Sequence, residues 1–208
     1  MVENEDKLFI SSALYWERRY SDKGNSGSGS SEHLARFKAD TINVFVKKNI
    51  VQSIIEYGCG DGRQLMLSIY PSYIGFDVSK TSIDMCRELF RGDVSKAFNL
   101  MADYIGEVAD LTLSLDVIYH LVEESIFHNY MNLLFESSKK FVIIYSNNSD
   151  AYYRSESPHI KFRIFTEWIE KYANEWSLID YIPNKYPYQG NPEKGSWSDF
   201  YFYSKIQS

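Results

Sequence analysis

The segment Ile54-Ile55-Glu56-Tyr57-Gly58-Cys59-Gly60-Asp61-Gly62 decides how this chain folds. Residues typical of a buried strand run directly into a turn that contains three glycines. Glycine lets the backbone approach a bound molecule closely, because a Cβ atom would collide there. A second strand-like segment, Tyr73-Ile74-Gly75-Phe76, ends in Asp77, where a carboxylate is well placed to accept hydrogen bonds from both hydroxyls of a ribose. Together these features predict a site for a nucleoside cofactor.

Strands and helices alternate along the rest of the chain. The sequence predicts strands at 53–57, 73–77, 98–101, 110–115, 140–145, 176–181 and 199–203, and helices at 8–20, 32–48, 63–68, 79–90, 123–137 and 166–174. Strands joined by helices form parallel βαβ units with right-handed crossovers. The last two strands are close in sequence and are predicted to be antiparallel. The predicted fold class is an α/β, doubly wound sheet of seven strands that is mostly parallel and ends in an antiparallel C-terminal hairpin.

Composition restricts the class of partner. The chain has 208 residues, 44% of them hydrophobic, and a net charge of −6, which indicates a folded acidic protein with a sizeable core. Binding nucleic acid through phosphates needs a basic face, and Lys47-Lys48 and Lys139-Lys140 are isolated pairs. A nucleic-acid partner is therefore disfavoured. Two cysteines, an acidic N-terminus and the lack of a membrane-spanning apolar run predict a cytoplasmic protein outside the membrane.

The N-terminal part differs in character from the alternating region. Residues 1–49 are predicted to form a helical lid with a glycine-serine loop, and residues 50–208 a cofactor-binding domain. The stretch 24–31 contains only Gly, Ser and Asn. It can be interpreted either as a flexible linker or as a mobile lid over the cofactor. A serine at the start of the following helix is predicted to be its N-cap.

The glycine spacing distinguishes between kinds of nucleotide site. A dinucleotide site needs a third glycine where this chain has Arg63, and a P-loop needs a Gly-Lys-Ser/Thr ending that is absent. The pattern Glu-x-Gly-Cys-Gly-x-Gly instead resembles the first motif of the class I S-adenosylmethionine-dependent methyltransferases, of the small-molecule type. The resemblance covers residues 50–205 and extends to the terminal pair of strands. It implies a Rossmann-like sheet and S-adenosylmethionine as cofactor.

The resemblance also implies which residues bind the cofactor. S-adenosylmethionine carries no phosphate, so it needs close backbone approach rather than a basic clamp. Asp77 matches the ribose acceptor, Asp103 the polar position that meets the adenine, and segment 113–121 the part that faces the methyl group. Glu56 would orient the glycine loop or reach the cofactor's amino group through water; alternatively it only satisfies nearby backbone N–H groups. The residues implied to bind the cofactor are Tyr20, Glu56, Gly58, Cys59, Gly60, Asp77, Val78, Asp103, Tyr104, Ser114 and Leu115.

Candidate catalytic residues follow the fourth and fifth predicted strands. Methyl transfer is an in-line displacement, and a hydroxyl acceptor also needs a base that removes its proton. His120, beside Tyr119, lies near the expected methyl position and titrates near neutral pH in its unperturbed state; alternatively it caps the next helix. His159 and Arg163 would face the acceptor, with Arg163 binding an acidic group, or they fix a loop. The other two histidines, at positions 33 and 128, are predicted surface residues.

A metal site is an alternative interpretation of these histidines. His120, Glu123, Glu124 and His159 resemble the metal ligands of methyltransferases that act on RNA 3′ ends. That pattern requires a glutamate immediately before the first histidine, where this chain has Tyr119. We therefore predict no metal.

The predicted function is methyl transfer to a small polar acceptor, with an oxygen of a sugar or of a glycan or natural-product precursor as the favoured target. Two alternatives have different consequences. A methyltransferase acting on RNA or protein would need an extended acceptor groove and, for RNA, salt-dependent binding. A non-catalytic S-adenosylmethionine-binding module would lack polar groups near the methyl position, which His120 and Tyr119 disfavour.

Overall fold

The structure is a computed structural model that describes residues 9–27, 29, 32–150 and 157–206. Within these ranges one sheet is formed by seven strands: β1 Ile54–Tyr57, β2 Tyr73–Asp77, β3 Lys96–Leu100, β4 Ala109–Leu115, β5 Ser138–Ser146, β6 Trp176–Ile182 and β7 Asp199–Lys205. The α-helices are α1 Ser12–Ser21, α2 Glu32–Lys48, α3 Lys80–Leu89, α4 Glu124–Glu136 and α5 Phe165–Tyr172. Short 3₁₀ turns follow the glycine turn, β3 and β4.

The strand order is β3-β2-β1-β4-β5-β7-β6. Strands β1 to β5 pair in parallel, whereas β7 lies antiparallel between β5 and β6. This confirms the predicted fold class, including the antiparallel pair at the end of the chain. The winding reverses between β1 and β4, and such a switch point places a crevice at the carboxyl ends of the strands.

Helices cover both faces of the sheet. On one face α4 and α5 contribute Phe127, Met131 and Trp168 to a cluster with Ile55 and Ile144. On the other face α2 and α3 pack against the sheet through Ile42, Val46, Ile83 and Cys86. Every residue of β4 is buried, as expected for a parallel strand with helices on both sides. Helix α2 thus belongs to the same hydrophobic core as the sheet.

Most element boundaries shift by one or two residues from the sequence prediction, and three differences stand out. The helix predicted at 63–68 is a single 3₁₀ turn, Leu65–Leu67, and Gly62 before it has a left-handed backbone (φ +77°). Strand β3 begins at 96 rather than 98, since it pairs along the whole of β2. Helix α1 begins at Ser12, where the Ser11 side chain accepts a hydrogen bond from Leu14 N. The serine predicted to cap α2 lies outside the described residues.

Candidate functional site

The glycine turn after β1 is fixed to the end of β2 by backbone hydrogen bonds. Gly58 N and Cys59 N both donate to Phe76 O, at 2.7 and 3.1 Å. Gly58 and Gly60 have φ values of +84° and +58°, a region that side chains rarely adopt. A Cβ on Gly58 would lie 2.5 Å from Cγ2 of Val117. Both the backbone conformation and the lack of space therefore require glycine at this position.

Asp77 connects this turn to α3. Its Oδ2 accepts a hydrogen bond from Gly60 N at 2.9 Å, and its Oδ1 accepts one from Ser79 N at 2.9 Å. Burial raises the pKa of Asp77, while these backbone donors act in the opposite direction. Each carboxylate oxygen can accept more than one hydrogen bond. Asp77 therefore holds the turn and retains capacity for hydroxyl donors from a ligand.

A cavity of about 500 Å³ lies beyond the carboxyl ends of β1, β2 and β4, a typical size for a small-molecule site. Its floor is the glycine turn, and α1 lies across it. The lining residues divide into those of α1 and α2, those at the strand ends, and those of α4. They are Ser11, Ser12, Ala13, Trp16, Tyr20, Ser26, Lys38, Glu56, Gly58, Cys59, Gly60, Asp61, Gln64, Asp77, Val78, Met101, Leu115, Asp116, Val117, His120, Leu121, Glu123, Ile126, Asn129, Tyr130 and Leu133.

Helix α1 is held over this cavity by two carboxylates. Ser12 N donates to Glu123 Oε1 at 2.9 Å, and Ser12 Oγ lies 2.6 Å from Oε2 of the same carboxylate. One turn further on, Glu17 accepts hydrogen bonds from Ser79 Oγ at 2.7 Å and from Thr81 Oγ1 at 2.6 Å. These partners lie at the start of α3, where a negative charge is favourable. Hydrogen bonding to Thr81 lowers the pKa of Glu17.

The loop after α1 contacts the glycine turn directly. Ser26 N donates to Asp61 Oδ2 at 3.1 Å, and Asp61 N donates to Ser26 Oγ at 3.2 Å. The Tyr20 hydroxyl lies 3.0 Å from the same Ser26 oxygen, and burial raises the pKa of Tyr20, so its hydroxyl stays protonated. The described part of the glycine-serine stretch is thus packed onto the site. Positions 28, 30 and 31 of that stretch lie outside the described residues.

His120 is the histidine that lines the cavity. Its Nδ1 lies 3.1 Å from the carbonyl oxygen of His159. A carbonyl only accepts, so Nδ1 carries the proton and Nε2 has a free lone pair. Burial lowers the pKa of His120 to about 4, with its ring packed edge-on against Trp16 at 4.8 Å. The imidazole is therefore neutral at physiological pH and able to accept a proton through Nε2.

The other three predicted catalytic residues do not line the cavity. The His159 ring stacks on Tyr15 at 4.1 Å, and burial lowers the pKa of His159 to about 4. Tyr119 donates to Asp116 Oδ1 at 3.1 Å. Arg163 donates to the carbonyl of residue 122 at 3.0 Å and lies over an α4 ring at 4.6 Å. The backbone carbonyl of His159 orients the His120 ring. Arg163 fixes a loop, as in the alternative interpretation of this residue.

The predicted cofactor residues also divide into two groups. Tyr20, Glu56, Gly58, Cys59, Gly60, Asp77, Val78 and Leu115 line the cavity. Asp103 is exposed and outside the lining, whereas Met101, two residues earlier, is part of it. Tyr104 packs on the Phe76 ring at 5.6 Å and donates to a loop carbonyl. Ser114 is buried and accepts a hydrogen bond from Tyr130 at 2.7 Å. The last two therefore have packing contacts that explain their positions.

Several cavity residues are not among the individually predicted site residues. Lys38 and Gln64 lie outside every predicted motif, whereas Asp116 lies within the predicted segment 113–121. Lys38 is 1% exposed and its Nζ donates to Asp116 Oδ2 at 2.8 Å. A signal for Lys38 exists in the sequence, because it lies four residues after Leu34 and four before Ile42, within the apolar stripe of α2. Asp116 has a left-handed backbone (φ +60°), which non-glycine residues adopt mainly at turns and functional sites.

The described ranges contain neither a metal-ligand cluster nor a membrane-spanning helix. No group of three or more His, Cys, Asp or Glu side chains there could hold a metal ion. No helix in the described part of the chain has the length and apolar character needed to cross a bilayer. Of the two histidines predicted at the surface, His128 is exposed on α4, and His33 is partly exposed on α2 and packs edge-on against Tyr186 at 4.5 Å.

Solved structures share this fold. The N-methyltransferase NodS from Bradyrhizobium japonicum, in complex with S-adenosyl-L-homocysteine, is 11% identical over 95% of this chain and 100% of its own, with a TM-score of 0.74. The methyltransferase domain of bacterial CtHen1-C is 18% identical over 83% and 98%, with a TM-score of 0.65. The magnesium protoporphyrin IX methyltransferase ChlM from Synechocystis, with bound S-adenosylmethionine, is 12% identical over 94% and 98%, with a TM-score of 0.65.

These similarities establish the architecture. The chain has the class I S-adenosylmethionine-dependent methyltransferase fold, as the glycine motif indicated. No family model matches the sequence, and no curated protein sequence matches it either.

The state of His120 predicts a specific pH dependence of stability. Its pKa is about 4 in the folded protein and 6.5 when unperturbed, so between these values the unfolded chain binds more protons and stability must rise with pH. We expect His120 to contribute about 3 kcal/mol to this rise between pH 4 and 7. His120→Asn keeps an N–H donor for the carbonyl and does not titrate. Urea unfolding at several pH values should give a shallower dependence for this variant; an unchanged slope would contradict the assigned neutral state.

Proposed function

We propose that this protein is an S-adenosylmethionine-dependent methyltransferase that acts on a small polar acceptor. One observation carries the proposal: the glycine turn held by Asp77 and a neutral His120, whose Nδ1 is held by a carbonyl, line the same cavity. The floor and Asp77 fit a nucleoside without phosphates. The free imidazole nitrogen fits an acceptor that must lose a proton.

The residues present fit the cofactor. Gly58 and Gly60 let the turn pack closely against Val117, Ser26 and Tyr20, because a Cβ at either position would collide with these side chains. Asp77 has spare lone pairs for the two ribose hydroxyls. Val78, Met101 and Leu115 give an apolar wall for the adenine. When bound, S-adenosylmethionine supplies a methyl group that is already activated by its sulfonium.

The protein's part in the reaction is positioning, exclusion of water and proton removal. Helix α1 shields the cavity through its hydrogen bonds to Glu123 and to the start of α3. His120 Nε2 accepts the proton of the acceptor as attack proceeds, and the carbonyl of His159 holds the Nδ1 proton. A pKa of about 4 makes His120 a weak base that is always available at neutral pH. A hydroxyl must lose its proton during attack, so the presence of a proton acceptor, rather than its basicity, supports oxygen as the acceptor atom.

A small acceptor is favoured over RNA or protein. The cavity is about 500 Å³ in volume, a size that suits a small molecule, and the net charge of −6 does not favour a polyanion. A non-catalytic binding module would have no use for a free base in the cavity. We further propose that α1 and the loop through Gly27 form the lid, and that the protein is cytoplasmic, in agreement with the two free thiols of Cys59 and Cys86.

The cofactor assignment is tested by Asp77→Asn. The amide replaces one carboxylate oxygen with a donor, so it cannot accept hydrogen bonds from Gly60 N and from both ribose hydroxyls. We expect S-adenosylmethionine to bind at least about tenfold more weakly, or about 1.4 kcal/mol, by isothermal titration calorimetry. Asp84→Asn, an exposed position on α3, is the matched control. Equal affinity of the variant and wild type would remove Asp77 from the site, and a wild-type protein that binds no cofactor would overturn the proposal.

The base assignment is tested by His120→Asn. Loss of the Nε2 lone pair should slow methyl transfer about 100-fold, which is the lower range for a general base, while cofactor affinity stays within about twofold. Transfer is followed as S-adenosylhomocysteine formed with a panel of small hydroxylated and amine acceptors. His33→Asn, on the outer surface of α2, should behave as wild type. A His120 variant with unchanged turnover on every acceptor would show that no base acts at this position.

A further inference from the structure

Helix α1 places one positive charge, that of Arg19, beside the proposed base. This charge contributes to the lowered pKa of both His120 and His159, so the guanidinium is close to both rings. Arg19 forms no ion pair with any described residue, whereas four other arginines have a carboxylate partner. Arg19 therefore has its charge available for an anionic group of a ligand.

Only part of the hydrogen-bonding capacity of Arg19 is used. Its Nε donates to Asn25 O at 2.6 Å, and its Nη1 donates to the Tyr15 hydroxyl at 3.3 Å. A guanidinium has five N–H donors in a planar fork, and those on Nη2 have no hydrogen-bond partner among the described residues. A Cβ on Gly27 would lie 3.8 Å from this nitrogen. The side chain is thus oriented, yet it keeps donors for a carboxylate.

The indole of Trp16 connects this charge to the base. Trp16 lines the cavity. The Arg19 Cζ atom lies 5.5 Å from the centroid of the indole, and the His120 ring packs edge-on against it with 4.8 Å between centroids. A ring-sized acceptor bound against this indole would therefore have both the guanidinium and the imidazole within reach.

Aromatic rings surround this position. Tyr15 packs edge-on against Trp16 at 5.5 Å and stacks on His159 at 4.1 Å. The His159 ring in turn stacks with His120 at 5.5 Å, and the Tyr119 ring lies 4.5 Å from His120. Such rings form edge and face contacts with a planar aromatic partner. The surroundings of the base therefore favour an aromatic acceptor over a sugar.

The weak basicity of His120 restricts the kind of hydroxyl. Its pKa is about 4, and a weak base is better matched to an acidic proton. A phenolic hydroxyl has a pKa of about 10, as in tyrosine. An aliphatic hydroxyl is about as weak an acid as water, whose pKa is about 15.7. A phenol is thus the hydroxyl that suits this base.

We propose that the acceptor is a phenolic carboxylic acid, with its ring against Trp16, its carboxylate on Arg19 and its hydroxyl at His120. The inference rests on the proposed function and names its substrate class. The phenolic oxygen forms a bond to the methyl carbon as the bond from that carbon to sulfur breaks, with its electron pair left on sulfur. His120 Nε2 takes the phenolic proton. The products are a methyl ether and S-adenosylhomocysteine, and no further reactant is needed.

The acceptor class is tested first with the wild type. 4-Hydroxybenzoate and 4-hydroxybenzamide share the phenol ring and differ in charge, whereas glucuronate keeps the carboxylate on a sugar ring. We expect kcat/KM for 4-hydroxybenzoate to be at least about tenfold higher than for either of the others, since only this acceptor meets both the guanidinium and the rings. Formation of S-adenosylhomocysteine is the measurement.

Arg19→Gln tests the charge. The amide can still donate to Asn25 O, but the cation is lost. KM for 4-hydroxybenzoate should rise about tenfold or more, and KM for the benzamide should change by less than about twofold. Arg19→Lys, which keeps the charge without the planar fork, should lie between the two. Arg18→Gln, exposed on the same helix, is the matched control and should behave as wild type.

Trp16→Leu tests the ring. At saturating S-adenosylmethionine, KM for both phenols should rise about tenfold, because the aromatic face is lost, whereas Trp16→Phe should stay within about threefold of wild type. Tyr172→Leu, at an exposed aromatic position on α5, is the control. Equal KM values for Trp16→Leu and wild type would show that the acceptor does not lie on this indole.

The outcomes separate this inference from the proposed function. If the wild type binds no S-adenosylmethionine, the proposed function fails. If it binds the cofactor but methylates none of the three acceptors, or prefers the benzamide or glucuronate, the cofactor site stands and the inference is overturned. If Arg19→Gln impairs the acid and the amide equally, Arg19 only fixes the loop at Asn25, and the inference is again overturned.

Discussion

The hydrogen bond from Gly60 N to the Asp77 carboxylate is the interaction on which the site depends. It joins the turn after β1 to the end of β2 at the point where the sheet reverses its winding. The left-handed glycines allow the turn to bend back over the strand, and Asp77 then fixes the bend. Without this connection the cavity would have no rigid floor, and neither α1 nor the loop with Ser26 would have a surface to pack on.

Helix α1 is held beside the cavity by a few polar contacts at the ends of other elements. Glu17 satisfies donors at the start of α3, and Glu123 holds the first residue of α1. Both carboxylates therefore link α1 to a neighbouring part of the chain. Helix α1 is attached by these hydrogen bonds and by aromatic packing on His120. Such an attachment is compatible with the lid role proposed for α1.

The cavity is lined by two kinds of polar group, buried charged side chains and a neutral histidine. The ion pair of Lys38 with Asp116 and the buried carboxylate of Glu56 line the cavity. Buried charges contribute little net stability, because desolvation offsets their attraction. His120, by contrast, packs between Trp16 and its histidine neighbour, where burial keeps it uncharged. The cavity is therefore lined both by buried charged side chains and by a neutral imidazole.

The sequence by itself determined the alternation of strands and helices, the glycine turn and Asp77, because each depends on local spacing and on backbone conformation. It also placed His120 beside the expected site. Only the tertiary structure decided which polar residues reach the cavity. Asp103 and Arg163 follow strand ends, yet one points to solvent and the other is bound by backbone and an α4 ring. Lys38 and Gln64 come from segments that sequence spacing does not relate to Glu56. Their meeting depends on how α2 packs on the sheet, and packing is a property of the whole core.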